Sequence, residues 1–247
     1  MTTENEHVMR VVKVNVTLTG DWEIDKSVIQ KAAMQPTRAD KYYDHAVAIH
    51  GLFDLLTYGT PSAPSHPQRK GLLLKVHGEL YPIAHFAKLH FTDPTNVIIT
   101  WIDGSQKHDA IIEYTNKSSN QSDIEYLEVT TLQNEEDAKE LKELSEENTG
   151  VNIKNNSEYD IHRRKLGLLE KALTKKGSNT YPANTALLVY TDEHRFRKFY
   201  YGMSAPEIDR KGGYEAVLEE LAPLLKGFSH VFIYSKDEIY CTLNNVK

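Results

Sequence analysis

The feature that most constrains the fold is a set of three strand-like runs joined by two turn-like connections. The runs are Val97–Asp103, Asp109–Thr115 and Asp123–Leu132, each rich in β-branched or aromatic residues. The connections, 103–106 (DGSQ) and 116–122 (NKSSNQS), contain the residues that favour tight turns. Because short connections join antiparallel neighbours, the sequence predicts an antiparallel meander over 97–132.

Helices and further strands are predicted on both sides of this meander. Upstream, the spacing of apolar residues predicts a strand over 8–19, helices over 21–34 and 39–57, a short strand over 71–77 and a helix near 82–90. Downstream, it predicts helices over 134–147, 158–176 and 214–226 and strands over 185–191, 229–235 and 238–243. The continuous apolar run of Leu187, Leu188 and Val189 indicates a central strand covered on both faces. The expected fold class is α/β, a mixed sheet flanked by helices.

A loop rich in proline and small polar residues divides the chain at 59–70 (GTPSAPSHPQRK). It separates a predicted N-terminal α/β extension, residues 1–70, from a core over 71–247. A chain of 247 residues with 40% hydrophobic and 26% charged residues has an ordinary globular composition, which argues against wholesale disorder.

Charge and cysteine content limit the classes of function. The first residues, MTTENEHVMRVV, have no cationic region followed by an apolar run, and no run of about 18 apolar residues occurs, so neither secretion nor a membrane span is expected. The single cysteine, Cys241, excludes an internal disulfide, and we expect a cytoplasmic protein. A net charge of −6 gives the whole surface no attraction for nucleic acid, so any such site must be local. The basic stretches 162–176 and 194–198 are the places for one.

Two acidic residues of the meander are placed to share a cation. Asp109 opens the second run, and period two sets Glu128 on the same face of the third run as Tyr126 and Thr130. If the two strands pair, both carboxylates can approach one Mg²⁺, which prefers oxygen ligands. Weaker alternatives to this pair are the three neighbouring acidic residues Glu113, Asp123 and Glu125.

This order of elements resembles the PD-(D/E)XK, or restriction-endonuclease-like, superfamily. An Asp at a strand start, a hairpin, a Glu128-Val129-Thr130 strand, a helix and an apolar strand match it over about 97–191, and the later elements agree through 243. The resemblance implies that Asp109 and Glu128 bind Mg²⁺ and that a lysine orients or activates the attacking water. The sequence departs from the pattern at two positions, with His108 in place of the proline and Thr130 in place of the lysine.

The resemblance also indicates where a replacement lysine would lie, because some members of the superfamily carry it on the adjoining helix. Lys165 and Lys176 interrupt the apolar face of the predicted helix 158–176. We prefer Lys165, since Lys176 falls at the helix end. In the alternative interpretation both stems border the core while the ammonium groups reach water.

The leading hypothesis is therefore a metal-dependent nuclease with Asp109, Glu128 and Lys165 as catalytic residues, Mg²⁺ as cofactor and DNA preferred to RNA. Thr130 motivates a second hypothesis, a catalytically inactive binding or assembly module of the same fold. A third is an interaction protein acting through the acidic helix 134–147. A homodimer or a protein partner is left open, and no membrane partner is expected.

Overall fold

A mixed sheet of seven strands organises the part of the chain that the structure describes. The structure is a computed structural model that describes residues 16–19, 21–59, 71–116, 123–133, 157–193 and 208–245, with the backbone alone for 54–59. Strand order across the sheet follows chain order. The strands are β1 Thr37–Arg38, β2 Val97–Trp101, β3 Ala110–Tyr114, β4 Tyr126–Thr131, β5 Thr185–Tyr190, β6 His230–Tyr234 and β7 Ile239–Asn244.

The antiparallel meander predicted from the three strand-like runs is confirmed. β2 pairs antiparallel with β3, with Trp101 opposite Ala110, and β3 pairs antiparallel with β4, with Ala110 opposite Leu127. The two-residue strand β1 extends this half of the sheet by pairing with β2. Asp109 therefore lies immediately before β3, at the end that adjoins the middle of β4.

The second half of the sheet is parallel except at its edge. β4, β5 and β6 run parallel, and β7 returns antiparallel to β6. Leu187, Leu188 and Val189 have no exposed surface, and β5 has a strand on each side. The prediction of a central strand is thus confirmed.

Helices cover both faces of the sheet. On one face lie α1 Trp22–Ala33, α2 Ala39–Gly59, α3 Leu72–Lys75, a π-helical turn Val76–Leu80 and α4 Tyr81–His90; on the other lie α5 Glu158–Gly177 and α6 Arg210–Leu221. The alternation along β5 separates the two cores, because Ala186 and Leu188 join the first hydrophobic cluster while Leu187 and Val189 join the second. The predicted mixed α/β class is confirmed. Among the helices that the structure describes, none combines the length and the apolar composition needed to cross a bilayer.

The helices begin where side chains satisfy their first amide groups. Ser157 caps α5 by accepting a hydrogen bond from the Asp160 N–H at 3.2 Å. Asp209 caps α6 by accepting from the Gly212 N–H at 2.8 Å. Such caps contribute about 1 kcal/mol each and fix the first turn. The second cap places the start of α6 at Arg210, four residues before the predicted start at 214.

One predicted strand is wrong. Residues 71–77 form α3 and the start of the π-helical turn, and the helical path continues through α4 to His90. A short apolar run does not separate a strand from a buried helix by periodicity. The helical period becomes clear only over the longer stretch 72–87. Its buried apolar residues recur every three or four positions: Leu72 or Leu73, Val76, Leu80, Ile83 and Ala87.

The N-terminal helices share the hydrophobic cluster of the sheet. Ile29 of α1 and Tyr42 of α2 pack in the same cluster as Ile99 and Leu127. The predicted division at residue 70 stays a prediction, because residues 60–70 lie outside the described residues, as does the predicted acidic helix 134–147. The predicted strand 8–19 is described only at 16–19, which form no strand.

Candidate active site

Asp109 is hydrogen-bonded to the main chain on both sides of Glu128. Its N–H donates to the Leu127 carbonyl at 2.7 Å, and the Val129 N–H donates to Asp109 Oδ2 at 2.7 Å. The carboxyl group of Asp109 therefore lies along β4 at the level of Glu128. The structure brings together the two acidic residues that the sequence predicted as a pair.

Glu128 faces helix α5, because its neighbours Leu127 and Val129 pack in the cluster on the opposite face. Lys176, in the last turn of α5, forms an ion pair with Glu128. The same ammonium group donates to the Val129 carbonyl at 3.3 Å. Glu128 is only 9% exposed, so this cation offsets the cost of burying its charge.

The preference for Lys165 over Lys176 does not agree with this geometry. The Lys165 ammonium lies 2.8 Å from Asp192 Oδ1 and also donates to the Leu132 carbonyl, beyond the end of β4. Eleven residues of helix separate the two lysines, which places their Cα atoms about 16 Å apart. Nor is the helix end frayed, since the Ser178 hydroxyl donates to the Lys175 carbonyl at 2.8 Å. Lys176, and not Lys165, is therefore the lysine of α5 that lies beside Glu128.

Glu79 is a third acidic residue that the sequence did not single out. It lies in the π-helical turn, and the Trp101 indole N–H donates to Glu79 Oε2 at 3.0 Å. Burial, and then the charge of Asp109, raise the pKa of Glu79 to about 7. The sequence predicted a strand over 71–77 and a helix near 82–90, so Glu79 fell between two predicted elements. The structure places it in a π-helical turn, a feature that is frequent at functional sites.

The charge on Asp109 is incompletely compensated. Burial, and then the charge of Glu128, raise the pKa of Asp109 to about 6. The hydrogen bond from Val129 and the charges of Lys176 and Lys75 oppose that increase. Asp109, Glu128, Lys176 and Glu79 are together called the carboxylate centre below. Within it Asp109 interacts with the charges of both Glu128 and Glu79, and Glu128 is paired with Lys176.

A hard divalent cation fits this donor set. Asp109 and Glu128 supply carboxylate oxygens, the ligands that Mg²⁺ prefers, and a cation would relieve the repulsion that raises the pKa of Asp109. Within the described residues no three His, Cys, Asp or Glu side chains form a ready metal cage. Mg²⁺ is commonly held by one or two carboxylates together with water and substrate phosphates, so two protein ligands are sufficient.

A second lysine lies on the outer side of Asp109. Lys75, at the end of α3, forms an ion pair with Asp103, whose other oxygen accepts from the Gln30 amide at 2.7 Å. The pKa of Lys75 is raised by Asp103 first, and also by Glu79 and Asp109. Through Asp103, the ion pair with Lys75 and the hydrogen bond from Gln30 connect α3 and α1 to the residues after β2, next to the carboxylate centre.

The remaining residues proposed from the sequence lie at the surface or beside the centre. Glu113, Asp123 and Glu125 are exposed, so they make no contribution to a buried acidic pair. Thr130 lies two residues beyond Glu128 on β4 and is partly buried. The residue before Thr130 contacts the helix lysine, because the Val129 carbonyl accepts from Lys176 at 3.3 Å.

A second group of buried charges lies at the other end of α5, and is called the buried ion network below. Arg210 Nη2 is 2.6 Å from Glu158 Oε2, and Arg210 Nε is 3.6 Å from Glu193 Oε1. His162 Nδ1 lies 3.0 Å from Glu193 Oε1, and the Tyr214 hydroxyl donates to the other oxygen of Glu193. The network ties α5 and α6 to the residues that follow β5.

Comparisons with known proteins add no family to this geometry. No family model, no curated protein and no solved structure matches the chain. Function is therefore inferred from the residues of the carboxylate centre and from the order of the elements that carry them.

Proposed function

We propose that the protein is a metal-dependent nuclease with a restriction-endonuclease-like core, and that the carboxylate centre hydrolyses phosphodiester bonds. The single observation that carries the proposal is the Asp109 carboxyl group bonded beside Glu128, with a lysine paired to Glu128. The elements also follow the order of the resembling superfamily: a meander with Asp109 and Glu128, helix α5 with Lys176, and β5.

Each residue of the centre has a role that its surroundings support. Asp109 and Glu128 would hold Mg²⁺, which when bound polarises the phosphate and lowers the pKa of water. Lys176 places a positive charge at Glu128, where negative charge develops on the scissile phosphate. Glu79, with a pKa of about 7, can accept a proton at neutral pH.

Lys176 supplies the positive charge that Thr130 cannot. The Thr130 side chain points to the same face of β4 as Glu128, and the last turn of α5 brings the Lys176 ammonium to that face. The lysine of the superfamily pattern would thus have moved from strand to helix without leaving the site. Nucleic acid as substrate, DNA in preference to RNA, cytoplasmic location and a homodimer or protein partner stay predictions.

The second candidate function is a binding or assembly module without catalysis. It is favoured by the absence, within the described residues, of three side chains arranged as a metal cage. In such a module the ion pair of Lys176 with Glu128 would serve only the fold.

Cleavage of plasmid DNA, single-stranded DNA and RNA with and without Mg²⁺ tests the proposal. We expect Mg²⁺-dependent cleavage that falls at least about a hundredfold in Glu128→Gln and in Lys176→Met, because each removes charge from the reacting centre. Thr130→Val is the matched control on the same strand and should keep full activity.

A rescue variant makes the test of the lysine sharper. Adding Thr130→Lys to Lys176→Met returns a lysine to the strand position of the superfamily and should restore much of the lost cleavage. Full activity in Glu128→Gln would rule out the centre. Absence of Mg²⁺-dependent cleavage on all three substrates would favour the binding module.

A further inference from the structure

Two aromatic rings flank the acidic residues of the carboxylate centre. His108 directly precedes Asp109, and Tyr126 lies two residues before Glu128 on the same face of β4. Their ring centroids are 4.7 Å apart with an interplanar angle of 52°. Both residues are partly exposed, so this pair presents an aromatic surface directly beside Asp109 and Glu128.

A third ring, that of Tyr181, lies near Glu128. The Tyr181 ring packs on Phe228, with centroids 4.4 Å apart, and Phe228 belongs to the hydrophobic cluster under α5. The loop of Tyr181 is tied to β4, because the Asn184 carbonyl accepts from the N–H groups of Glu125 at 2.9 Å and Tyr126 at 3.3 Å. Burial, and then the charge of Glu128, raise the pKa of Tyr181, which agrees with a hydroxyl close to the centre.

Positive charge continues from the centre along α5. Lys171 and Lys175 are exposed and four residues apart, so they lie on one face of the helix and lead to Lys176. Cations combined with aromatic rings bind single-stranded nucleic acid, with phosphates on the cations and bases on the rings.

We propose that the centre acts on single-stranded or unpaired nucleic acid, with the base next to the scissile phosphate stacked on the His108–Tyr126 pair. The proposal rests on the proposed nuclease function and names its substrate class. In a duplex both faces of each base are covered by the bases stacked above and below it. A protein ring can therefore stack only on a base that has left the stack, as bases do in a single strand.

Binding is measured separately from cleavage, in the Glu128→Gln background, where no strand is cut during the titration. The probes are a fluorescein-labelled single strand of about 12 nucleotides and its blunt duplex, at one salt concentration. We expect the single strand to bind at least tenfold more tightly than the duplex. Adding Tyr126→Leu should weaken single-strand binding about tenfold, while Tyr126→Phe, the matched control, keeps the ring and the affinity.

A second variant protects the test against a folding defect in Tyr126→Leu. His108→Leu changes a residue outside the strands and should also weaken single-strand binding, with a melting temperature close to that of the parent. Equal affinity for single strand and duplex, or equal affinity of the Leu and Phe variants at position 126, would overturn the proposal.

Cleavage by the wild-type protein distinguishes this inference from the nuclease proposal. Single-strand binding that depends on Tyr126, without any cleavage, would reject the nuclease and leave the aromatic site standing. Duplex cut as fast as single strand, at a rate unchanged in Tyr126→Leu, would reject the aromatic site and leave the nuclease standing.

Discussion

The carboxylate centre and the buried ion network lie at opposite ends of helix α5. They differ in the groups that bond to their buried acids. In the network, Glu158 receives its bond from the Arg210 guanidinium, and Glu193 is approached by Arg210, His162 and the Tyr214 hydroxyl. In the centre only Glu128 is paired with a cation, Lys176, while the bonds to Asp109 and Glu79 come from neutral groups, the Val129 N–H and the Trp101 indole.

The difference in hydrogen-bond donors indicates which of the two clusters can bind a cation. A buried acid paired with arginine has its charge compensated within the protein. An acid held by neutral donors beside other acids keeps a charge that a ligand can compensate, and the raised pKa values of Asp109 and Glu79 reflect this. We therefore interpret the network as structural and the centre as functional.

The largest expected effect tests the structural role of the network. Arg210→Met leaves Glu158 buried without its cation, and we expect the free energy of unfolding to fall by about 3–5 kcal/mol. Urea denaturation at neutral pH measures the loss. Lys211→Met, at the exposed neighbouring position, should change stability by less than about 0.5 kcal/mol. Equal stability of the two variants would contradict the structural role of the network.

Neutralising an acid of the centre should have the opposite sign. Asp109→Asn can still accept from the Val129 N–H but cannot ionise, so it removes the uncompensated charge. A pKa raised from 3.8 to about 6 means that folded Asp109 holds its proton more tightly than unfolded Asp109. The wild type then loses stability as pH rises from about 4 to above 6.

The measurement is the stability of both proteins at pH 4 and pH 8. A shift of about two units corresponds to about 3 kcal/mol in full burial, and partial exposure reduces this to about 1–2 kcal/mol. We expect Asp109→Asn to be more stable than wild type by that amount at pH 8 and equal at pH 4. Glu193→Gln, the matched change in the network, should lose stability at pH 8. The same sign in both variants would remove the distinction between the clusters.

The sequence predicted the acidic pair and most of the sheet because both depend on local patterns. Alternation in β4 set the face of Glu128, and the predicted antiparallel pairing of β3 with β4 placed Asp109 next to it. These signals lie within a few residues of the side chains concerned, so they survive without knowledge of the tertiary packing.

What the sequence did not predict depends on long-range contacts. Lys165 and Lys176 have equivalent positions in a helical pattern, and only the direction of α5 against β4 decides which of them meets Glu128. Glu79 reaches the centre through a helix whose apolar run also fitted a strand, and through a π-helical turn that no local pattern signalled. The buried ion network joins residues 17 to 52 positions apart in sequence.

The smallest expected effect separates the two lysines of α5 by stability. The Lys176 and Glu128 side chains are 19% and 12% exposed, against 4% and 12% for Lys165 and Asp192. The two acids are equally exposed, so the difference lies in the lysines: water screens the more exposed Lys176 and weakens the first pair. We expect Lys176→Met to reduce the free energy of unfolding by less than about 1 kcal/mol.

Lys165→Met is the matched change at the other end of the helix, where it removes the cation from Asp192 in a drier site. It should cost about 3 kcal/mol by the same urea measurement. A larger loss in Lys176→Met than in Lys165→Met would mean that the Lys176–Glu128 pair is chiefly structural. That result would place the pair with the buried ion network and weaken the assignment of Lys176 to catalysis, because a lysine kept for chemistry contributes to the reaction more than to the fold.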